Sequence, residues 1–272
     1  MTTPVLSVMN LVKRFKDFTA VQDVSFELDP GASLGIVGES GSGKTTTARI
    51  LAGLEQATSG AVMFDGEKVA ARSRQDRLKH ARRLQMIFQD PYASFDPRLT
   101  IAESITEPLH LHKTGSDRPQ ERVAELLDQV GLSTRAGQSR PRDLSGGQRQ
   151  RAAIARALAV EPRVLVLDEA VAALDVSIQA QILTLLDELR RETGISYVFV
   201  SHDLAVVRYI TDSAIVMRHG RVVEHGPTEQ LLRSPQHPYT RLLLDSIPSP
   251  GWDLDRVAED RRALDSYGEN AC

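Results

Sequence analysis

Short apolar runs alternate with longer amphipathic stretches along most of this chain. The apolar runs predict strands at residues 6–11, 24–28, 33–37, 84–88, 164–167, 197–200, 214–217 and 221–223. The runs 164–167 and 197–200 are continuously apolar, which is typical of strands that are covered on both faces. Because strands alternate with helical segments, the pattern predicts an α/β fold around a mainly parallel sheet.

Helical periodicity begins near Lys44 and dominates residues 104–158, with the clearest amphipathic stretch at 120–130. This long helical region lies between two sets of strands, so we expect a helical lobe inserted into the α/β core. A further helix follows strand 164–167, and Gly194 marks its end. The last two strands are joined across His219 and predict a hairpin.

Composition limits the classes of function. The chain has 272 residues, a net charge of −3 and a pI near 6.2, which argues against nucleic acid as a main partner. No apolar run is long enough to span a bilayer, the first residues lack the order of a signal peptide, and the only cysteine is Cys272, so we expect a protein of a reducing compartment. One basic cluster is interpreted as a solvated helix face; its members are Arg72, Arg74, Arg77, Lys79, Arg82 and Arg83.

Residues 38–45 match the phosphate-binding motif G-x-x-x-x-G-K-[ST] and lie between a predicted strand and a predicted helix. Glycines allow backbone N–H groups to turn toward phosphate oxygens, and the helix N-terminus adds partial positive charge. Lys44 is expected to reach the β- and γ-phosphates, and the Thr45 hydroxyl to bind Mg²⁺. The predicted ATP-binding residues of this segment are Gly38, Glu39, Ser40, Gly41, Ser42, Gly43, Lys44, Thr45 and Thr46.

Two carboxylates end the apolar strand 164–167. Asp168 and Glu169 therefore emerge at the carboxyl edge of the predicted sheet, where ligands of such folds bind. We expect Asp168 to bind Mg²⁺ and ATP, and Glu169 to activate the attacking water as a general base. An acidic pair after a strand is more often a helix cap, but the phosphate-binding motif favours the catalytic interpretation.

A third motif, Leu-Ser-Gly-Gly-Gln at residues 144–148, resembles the signature of the ABC ATPases. Ser145, Gly146, Gly147 and Gln148 open a predicted helix, so hydroxyl, amides and helix dipole can bind a γ-phosphate. In that family, two ATPases dimerise head to tail, and each signature closes over the ATP that is bound to the partner. The resemblance implies a P-loop NTPase of ABC type, with an N-terminal antiparallel β subdomain and an inserted α-helical subdomain.

Further positions resemble the remaining motifs of that family. Phe15 matches the aromatic residue that stacks on adenine, although Phe18 is close enough to compete and a core position is the alternative. Gln89 resembles the Q-loop residue that contacts Mg²⁺ and water. Asp175 resembles the D-loop aspartate, and His202 the catalytic switch histidine.

The chain departs from the family pattern at two positions. Ala170 stands where proline usually follows the catalytic glutamate, and Ala173 where the D-loop usually has serine or glycine. Neither change removes a group that the chemistry needs. The loss of the serine hydroxyl is expected to weaken communication between the two ATP sites, and hydrolysis is expected to be retained.

Three segments resemble the ATPases of dipeptide, oligopeptide and nickel importers: residues 88–98, 176–181 and 234–243, the last containing His-Pro-Tyr-Thr. The resemblance implies that ATP and Mg²⁺ bind here. It also implies a second ATPase subunit, identical or different, two transmembrane permease subunits, and indirectly an extracytoplasmic substrate-binding protein. Residues 89–108 are expected to receive the coupling helix of a permease, at the cytoplasmic face of the inner membrane.

These motifs predict the domain organisation. Residues 1–248 form the ABC ATPase domain, with a RecA-like core at about 1–89 and 159–226, a helical subdomain at about 90–158, and an importer-type extension at 227–248. Residues 249–272 are predicted to be a flexible tail. An alternative function is a non-transport ABC ATPase, such as an assembly factor of phosphonate-cleaving enzymes; a small-molecule kinase would leave residues 145–148 unexplained.

Overall fold

The computed structural model describes residues 3–69, 73–114, 118–246 and 264. Arg72 and almost all of the predicted tail, 249–272, lie outside these residues. None of the helices in the described parts of the chain is both long and apolar enough to cross a bilayer.

Ten strands and ten α-helices lie in the described residues. The strands are β1 Leu6–Phe15, β2 Phe18–Leu28, β3 Ser33–Val37, β4 Ser59–Phe64, β5 Glu67–Lys68, β6 Leu84–Ile87, β7 Val164–Asp168, β8 Ser196–Val200, β9 Ser213–Arg218 and β10 Arg221–Pro227. The helices are α1 Lys44–Leu51, α2 Arg74–Arg83, α3 Ile101–His112, α4 Pro119–Gln129, α5 Thr134–Gly137, α6 Gly146–Leu158, α7 Val176–Thr193, α8 Leu204–Ile210, α9 Thr228–Arg233 and α10 Pro238–Asp245.

A six-stranded sheet in the order β10-β9-β3-β8-β7-β6 forms the centre of the fold. All its neighbouring strands pair in parallel except β10, which forms an antiparallel hairpin with β9. Every residue of β3, β7 and β8 is buried, as expected for strands that are covered on both faces. The mainly parallel α/β core predicted from the apolar runs is therefore confirmed, and it brings the carboxyl ends of β3, β7 and β8 to one edge.

A second, antiparallel sheet in the order β2-β1-β4-β5 covers helix α1 and one face of the central sheet. Two successive backbone hydrogen bonds link its β1–β2 hairpin, through Gly220, to the centre. The N–H of Gln22 donates to the carbonyl of Gly220 at 2.7 Å, and the N–H of Gly220 donates to the carbonyl of Ser42 at 3.0 Å. The antiparallel subdomain is thus linked, through the turn between β9 and β10, to the loop that follows β3.

Helices α3 to α6 form the inserted helical subdomain. Their apolar faces, including Ile105, Leu126 and Ile154, are 0% exposed and share a core with α7 and one face of the central sheet. The predicted helical subdomain is confirmed, although α3 begins at Ile101, where the Thr100 hydroxyl accepts from the N–H of Glu103 in a capping box.

Helix α2 carries the basic cluster. Arg74, Arg77, Lys79 and Arg82 are exposed, and His80 is its only buried residue. These four residues agree with the interpretation as a solvated helix face. Arg83 does not, because it is half-buried, contacts Glu67 and lies 5.7 Å from the Phe64 ring centroid.

Helices α9 and α10 pack on the outer face of β3 and β9. Their apolar residues, with Leu264, form a third core cluster that includes Val37 and Val207. Because Val37 ends β3 and Val207 lies on α8, this C-terminal layer contacts one element before and one element after the carboxyl edge of the sheet. The His-Pro-Tyr-Thr segment forms the start of α10.

Candidate active site

The loop between β3 and α1 is shaped by glycines in conformations that other residues avoid. Gly38 and Gly43 have φ values of 149° and 100°. A Cβ atom on Gly38 would lie 2.2 Å from the Met217 carbonyl oxygen, and one on Gly43 would lie 2.4 Å from that of Ala20. Gly43 also caps α1 without a side-chain hydrogen bond, and no acidic residue lies in the first turn. The first N–H groups of α1 are therefore suited to an anion.

Lys44 is the first residue of α1, directly after this loop, and is 5% exposed. Its ammonium group donates to the carbonyl oxygens of Gly38 at 2.7 Å and Glu39 at 2.8 Å. Burial lowers the pKa of Lys44, and the negative charges of Glu169, Asp168 and Glu39 oppose that shift. The arrangement holds a partly desolvated cation at the point where phosphate would bind.

Thr45 and Asp168 meet at the carboxyl edge of the sheet. The Thr45 hydroxyl donates to a carboxylate oxygen of Asp168 at 3.1 Å. Burial raises the pKa of Asp168, the Thr45 hydrogen bond lowers it, and Glu169 raises it further. The Thr45 hydroxyl and the Asp168 carboxylate are oxygen ligands of the kind that Mg²⁺ takes, together with phosphate oxygens and water.

The Glu169 carboxylate lies between the side chains of Gln89 and His202. The Gln89 amide donates to one oxygen of its carboxylate at 2.9 Å, and His202 Nδ1 lies 3.2 Å from the other. The backbone of Glu169 has a φ of 48°, and its N–H donates to the carbonyl of Val200 at 2.9 Å. These contacts aim the carboxylate away from the strand and hold it at the edge of the sheet.

The signature residues form a helix cap. The Ser145 hydroxyl accepts from the N–H of Gln148 at 3.2 Å, and the Gln148 side chain accepts from the N–H of Ser145 at 3.0 Å. Because the serine accepts in this bond, its proton is available to donate to an anion. Ser145 and Gln148 are exposed, and among the described residues no hydrogen bond joins 145–148 to 38–46. The side chains of Ser145 and Gln148 are thus open to solvent, while Gly147 is buried against α7.

The aromatic candidates lie at the hairpin of the antiparallel sheet. Phe15 pairs with Phe18 across the β1–β2 turn, and their side chains are 42% and 60% exposed. The core alternative for Phe15 is therefore wrong. The ammonium of Lys13 lies 4.7 Å from the Phe15 ring centroid and stabilises the position of that ring. The ring is still partly exposed to solvent.

Asp175 caps α7. Its carboxylate accepts from the N–H of Ile178 at 3.0 Å and from the Ser177 hydroxyl at 2.8 Å, and the first of these bonds chiefly lowers the pKa of Asp175. The neighbouring Val176 is 83% exposed, which is unusual for a large apolar side chain. Of the two departures from the family pattern, Ala170 is buried and Ala173 is exposed.

A cleft of about 380 Å³ separates α1 from the loop that follows β6, with Thr45, Gln89 and Asp168 among its lining residues. The same loop is attached to the signature helix. The Arg156 guanidinium donates to the Ser94 carbonyl, and Arg149 lies 5.6 Å from the centroid of the Tyr92 ring. Movement of this loop would therefore be transmitted to α6.

Tyr239 is a site residue that the sequence interpretation did not assign. Its hydroxyl accepts from the N–H of Glu39 at 3.0 Å, so helix α10 contacts the phosphate-binding loop. The only sequence signal was the His-Pro-Tyr-Thr pattern, which marks a family and not a contact.

Comparison with known proteins identifies two matching family patterns. The pattern described as ABC transporter matches residues 21–172, and that of the oligopeptide/dipeptide transporter C-terminal region matches residues 223–271. The oligopeptide transport ATP-binding protein OppF of Bacillus subtilis is 47% identical over 94% of this chain and 86% of its own length. The glutathione import ATP-binding protein GsiA of Escherichia coli is 49% identical over 90% of this chain, which spans 41% of that longer protein.

Solved structures show the same fold. The protein cbiO1 from Clostridium perfringens, part of the ABC transporter complex cbiONQ, superposes with a TM-score of 0.76 at 28% identity over 86% of this chain and 97% of its own. A dimeric structure of MJ0796, a bacterial ABC transporter cassette, gives a TM-score of 0.73 at 31% identity over 82% and 98%. The same cassette bound to ADP and phosphate in a post-hydrolysis state gives 0.72 at 30% identity over 82% and 98%.

Proposed function

This chain belongs to the ABC transporter family, and from that premise we propose that it powers an importer of oligopeptides or of a related small solute such as glutathione. The observation that carries the proposal is the union, in one chain, of an ATPase site with the oligopeptide/dipeptide transporter C-terminal region. The relatives named for oligopeptide and glutathione import support this over the assembly-factor alternative.

Hydrolysis requires a base beside the γ-phosphate. Glu169 can take a proton from the attacking water, because Gln89 and His202 hold its two carboxylate oxygens in a fixed direction. Lys44 would bind the β- and γ-phosphates, and the amides at the start of α1 would bind the remaining oxygens. His202 would hydrogen-bond the γ-phosphate once ATP draws it toward the site.

A divalent cation fits the neighbouring donors. Thr45 and Asp168 would bind Mg²⁺ directly or through water, with Gln89 as a further oxygen ligand. The ion supplies positive charge that offsets the negative charge developing on the phosphoryl group.

ABC cassettes dimerise, and we propose a head-to-tail dimer for this chain. In that arrangement the exposed Ser145 and the amides of Gly146 and Gly147 close over ATP bound to the partner's loop. The exposed Val176, beside Asp175, would be covered in the same interface. Phe15 would stack on the adenine ring.

The cassette works with membrane permeases, and we propose that two permease subunits complete the assembly at the cytoplasmic face of the inner membrane, with residues 89–108 of this chain receiving the coupling helix of one of them. The hydrogen bond from Arg156 to Ser94 would pass closure of the dimer to this surface. An extracytoplasmic binding protein would deliver the solute to the permeases.

Uptake in cells tests the proposal. A strain lacking this chain is complemented with wild type, Glu169→Gln or Glu188→Gln, and uptake of a labelled tripeptide and of labelled glutathione is measured. Glu188 is an exposed residue of α7, so Glu188→Gln makes the same chemical change away from the site. We expect Glu169→Gln to reduce uptake of one solute by roughly 10²-fold or more, and Glu188→Gln to leave it unchanged.

Two results would contradict the proposal. Full uptake with Glu169→Gln would remove the role of Glu169. Equal uptake of both solutes with and without the chain would remove the assignment to peptide-type import.

A further inference from the structure

One peptide group of the phosphate-binding loop is held from two sides. Its carbonyl, that of Gly38, accepts from the Lys44 ammonium at 2.7 Å. Its N–H, that of Glu39, donates to the Tyr239 hydroxyl at 3.0 Å. Because both atoms belong to the same planar unit, the direction of one hydrogen bond sets the direction of the other.

No side chain restrains this peptide group on the Gly38 side. Gly38 has a φ of 149° and no Cβ atom, so its two hydrogen bonds contribute directly to fixing the rotation of this peptide group. Without the Tyr239 hydroxyl, the N–H of Glu39 can turn toward water, since Glu39 is exposed. The Gly38 carbonyl would turn with it and leave the Lys44 ammonium.

The hydroxyl itself is firmly placed. Tyr239 is 1% exposed, and the Arg218 guanidinium lies 5.3 Å from its ring centroid. Burial and the nearby Glu39 carboxylate raise the pKa of Tyr239 to about 12, although the N–H bond and Arg218 act in the opposite direction. The hydroxyl therefore stays neutral at physiological pH and remains a hydrogen-bond acceptor for the N–H of Glu39.

The start of α10 is anchored so that Tyr239 cannot drift. The Glu224 carboxylate, on β10, accepts from the N–H groups of Gln236 at 2.8 Å and His237 at 3.1 Å. The His237 ring accepts from the N–H of Tyr239 at 3.1 Å, and Pro238 occupies the first helical position. The His-Pro-Tyr segment is thus anchored to β10 at one end and contacts the phosphate-binding loop through Tyr239 at the other.

We propose that Tyr239 is a positioning residue for Lys44, through which the C-terminal region sets the affinity of the site for ATP. The proposal rests on the assignment of residues 38–46 to phosphate binding. A phenylalanine would fill the same apolar space among Val37 and Leu242. Only the hydroxyl reaches the loop, so the role belongs to one oxygen atom.

Binding of MgATP to the purified full-length chain, measured by titration calorimetry, tests the proposal with Tyr239→Phe. We expect Kd to rise about five- to tenfold, the usual effect of losing one such hydrogen bond. The KM for ATP should rise by a similar factor, with kcat at saturating ATP close to wild type.

Tyr197→Phe is the matched control. Tyr197 is also 1% exposed, and its hydroxyl donates to the Leu186 carbonyl at 2.7 Å, away from the loop. Both variants lose one buried hydroxyl, so both should lower the melting temperature, but only Tyr239→Phe should weaken MgATP binding. A wild-type Kd in Tyr239→Phe would overturn the proposal.

Two further variants separate the possible failures. Glu224→Gln weakens the hydrogen bonds that hold the start of α10 and should raise the Kd for MgATP about twofold. In the double variant with Tyr239→Phe, it should have no added effect. A normal Kd in Glu224→Gln, or additive effects in the double variant, would count against the anchoring role of Glu224. Lys44→Ala tests the underlying assignment. If Lys44→Ala binds MgATP like wild type, the phosphate-binding assignment itself is wrong; if only Tyr239→Phe does, only the role of Tyr239 is wrong.

Discussion

Gly43→Ala is a quantitative test of how the phosphate-binding loop fits under the antiparallel sheet. Alanine at a φ of 100° is strained by roughly 1–2 kcal/mol. Its Cβ would also lie 2.4 Å from the Ala20 carbonyl oxygen, so β2 would have to move by about 1 Å to reach ordinary contact. Overpacking of this kind costs about 1–3 kcal/mol. The total expected loss of unfolding free energy is therefore about 2–5 kcal/mol.

Gly41→Ala isolates the backbone strain. Gly41 has a φ of 80°, and its Cβ would meet nothing within 4 Å. Gly41→Ala should therefore lose only about 1–2 kcal/mol. Thermal unfolding followed by circular dichroism measures the difference, which should place Gly43→Ala roughly 2–12 °C below Gly41→Ala. Equal melting temperatures, or a lower one for Gly41→Ala, would refute the reasoning that backbone contact with β2 limits this position.

Three further predictions follow from other contacts. Burial raises the pKa of Asp212, but hydrogen bonds from Arg190 and Ser33 outweigh this and lower it. The stability that this carboxylate adds is therefore present above about pH 4 to 5 and lost at lower pH. Asp212→Asn should accordingly show a smaller fall in melting temperature between pH 6 and pH 3 than wild type. Arg156→Lys keeps the charge but loses the planar contacts of the guanidinium, so we expect normal ATPase activity of the isolated chain and a several-fold lower uptake rate in cells; normal uptake would argue against transmission through Ser94. His202→Ala should reduce kcat for ATP hydrolysis by roughly 10²-fold or more without weakening ATP binding, and unchanged hydrolysis would remove its role beside the catalytic carboxylate.

Much of the core could be predicted because its signals are local. The run at 33–37 ends at Gly38 in the sequence and in the structure, since continuous burial and a glycine both mark that boundary. Strands β1 and β2 are longer than predicted, because their pairing continues to Phe15 and Phe18 at the turn, whose exposed side chains gave no signal of burial. Strand β4, Ser59–Phe64, was not predicted; it begins with two exposed residues, and its pairing with β1 decides its conformation.

Some residues of the candidate site could also be predicted from local sequence, and one contact could not. Glu169 and His202 follow buried parallel strands, and the carboxyl ends of such strands meet at one edge, so their proximity could be expected. The capping role of Asp175 also follows from local sequence. The contact of Tyr239 with Glu39 joins residues 200 positions apart. It depends on where α10 packs against β3, which no local pattern determines.

Strand β3 also determines when the nucleotide site can form during synthesis. Its two neighbours are β8 and β9, which lie about 160 to 180 residues later in the chain. At roughly 5–20 residues per second, the ribosome needs about 10–35 s to supply them. Throughout that interval the five residues of β3, all buried in the finished fold, have no partner strand of their own sheet. A nascent chain released early would expose an unpaired, aggregation-prone edge in place of an ATP site.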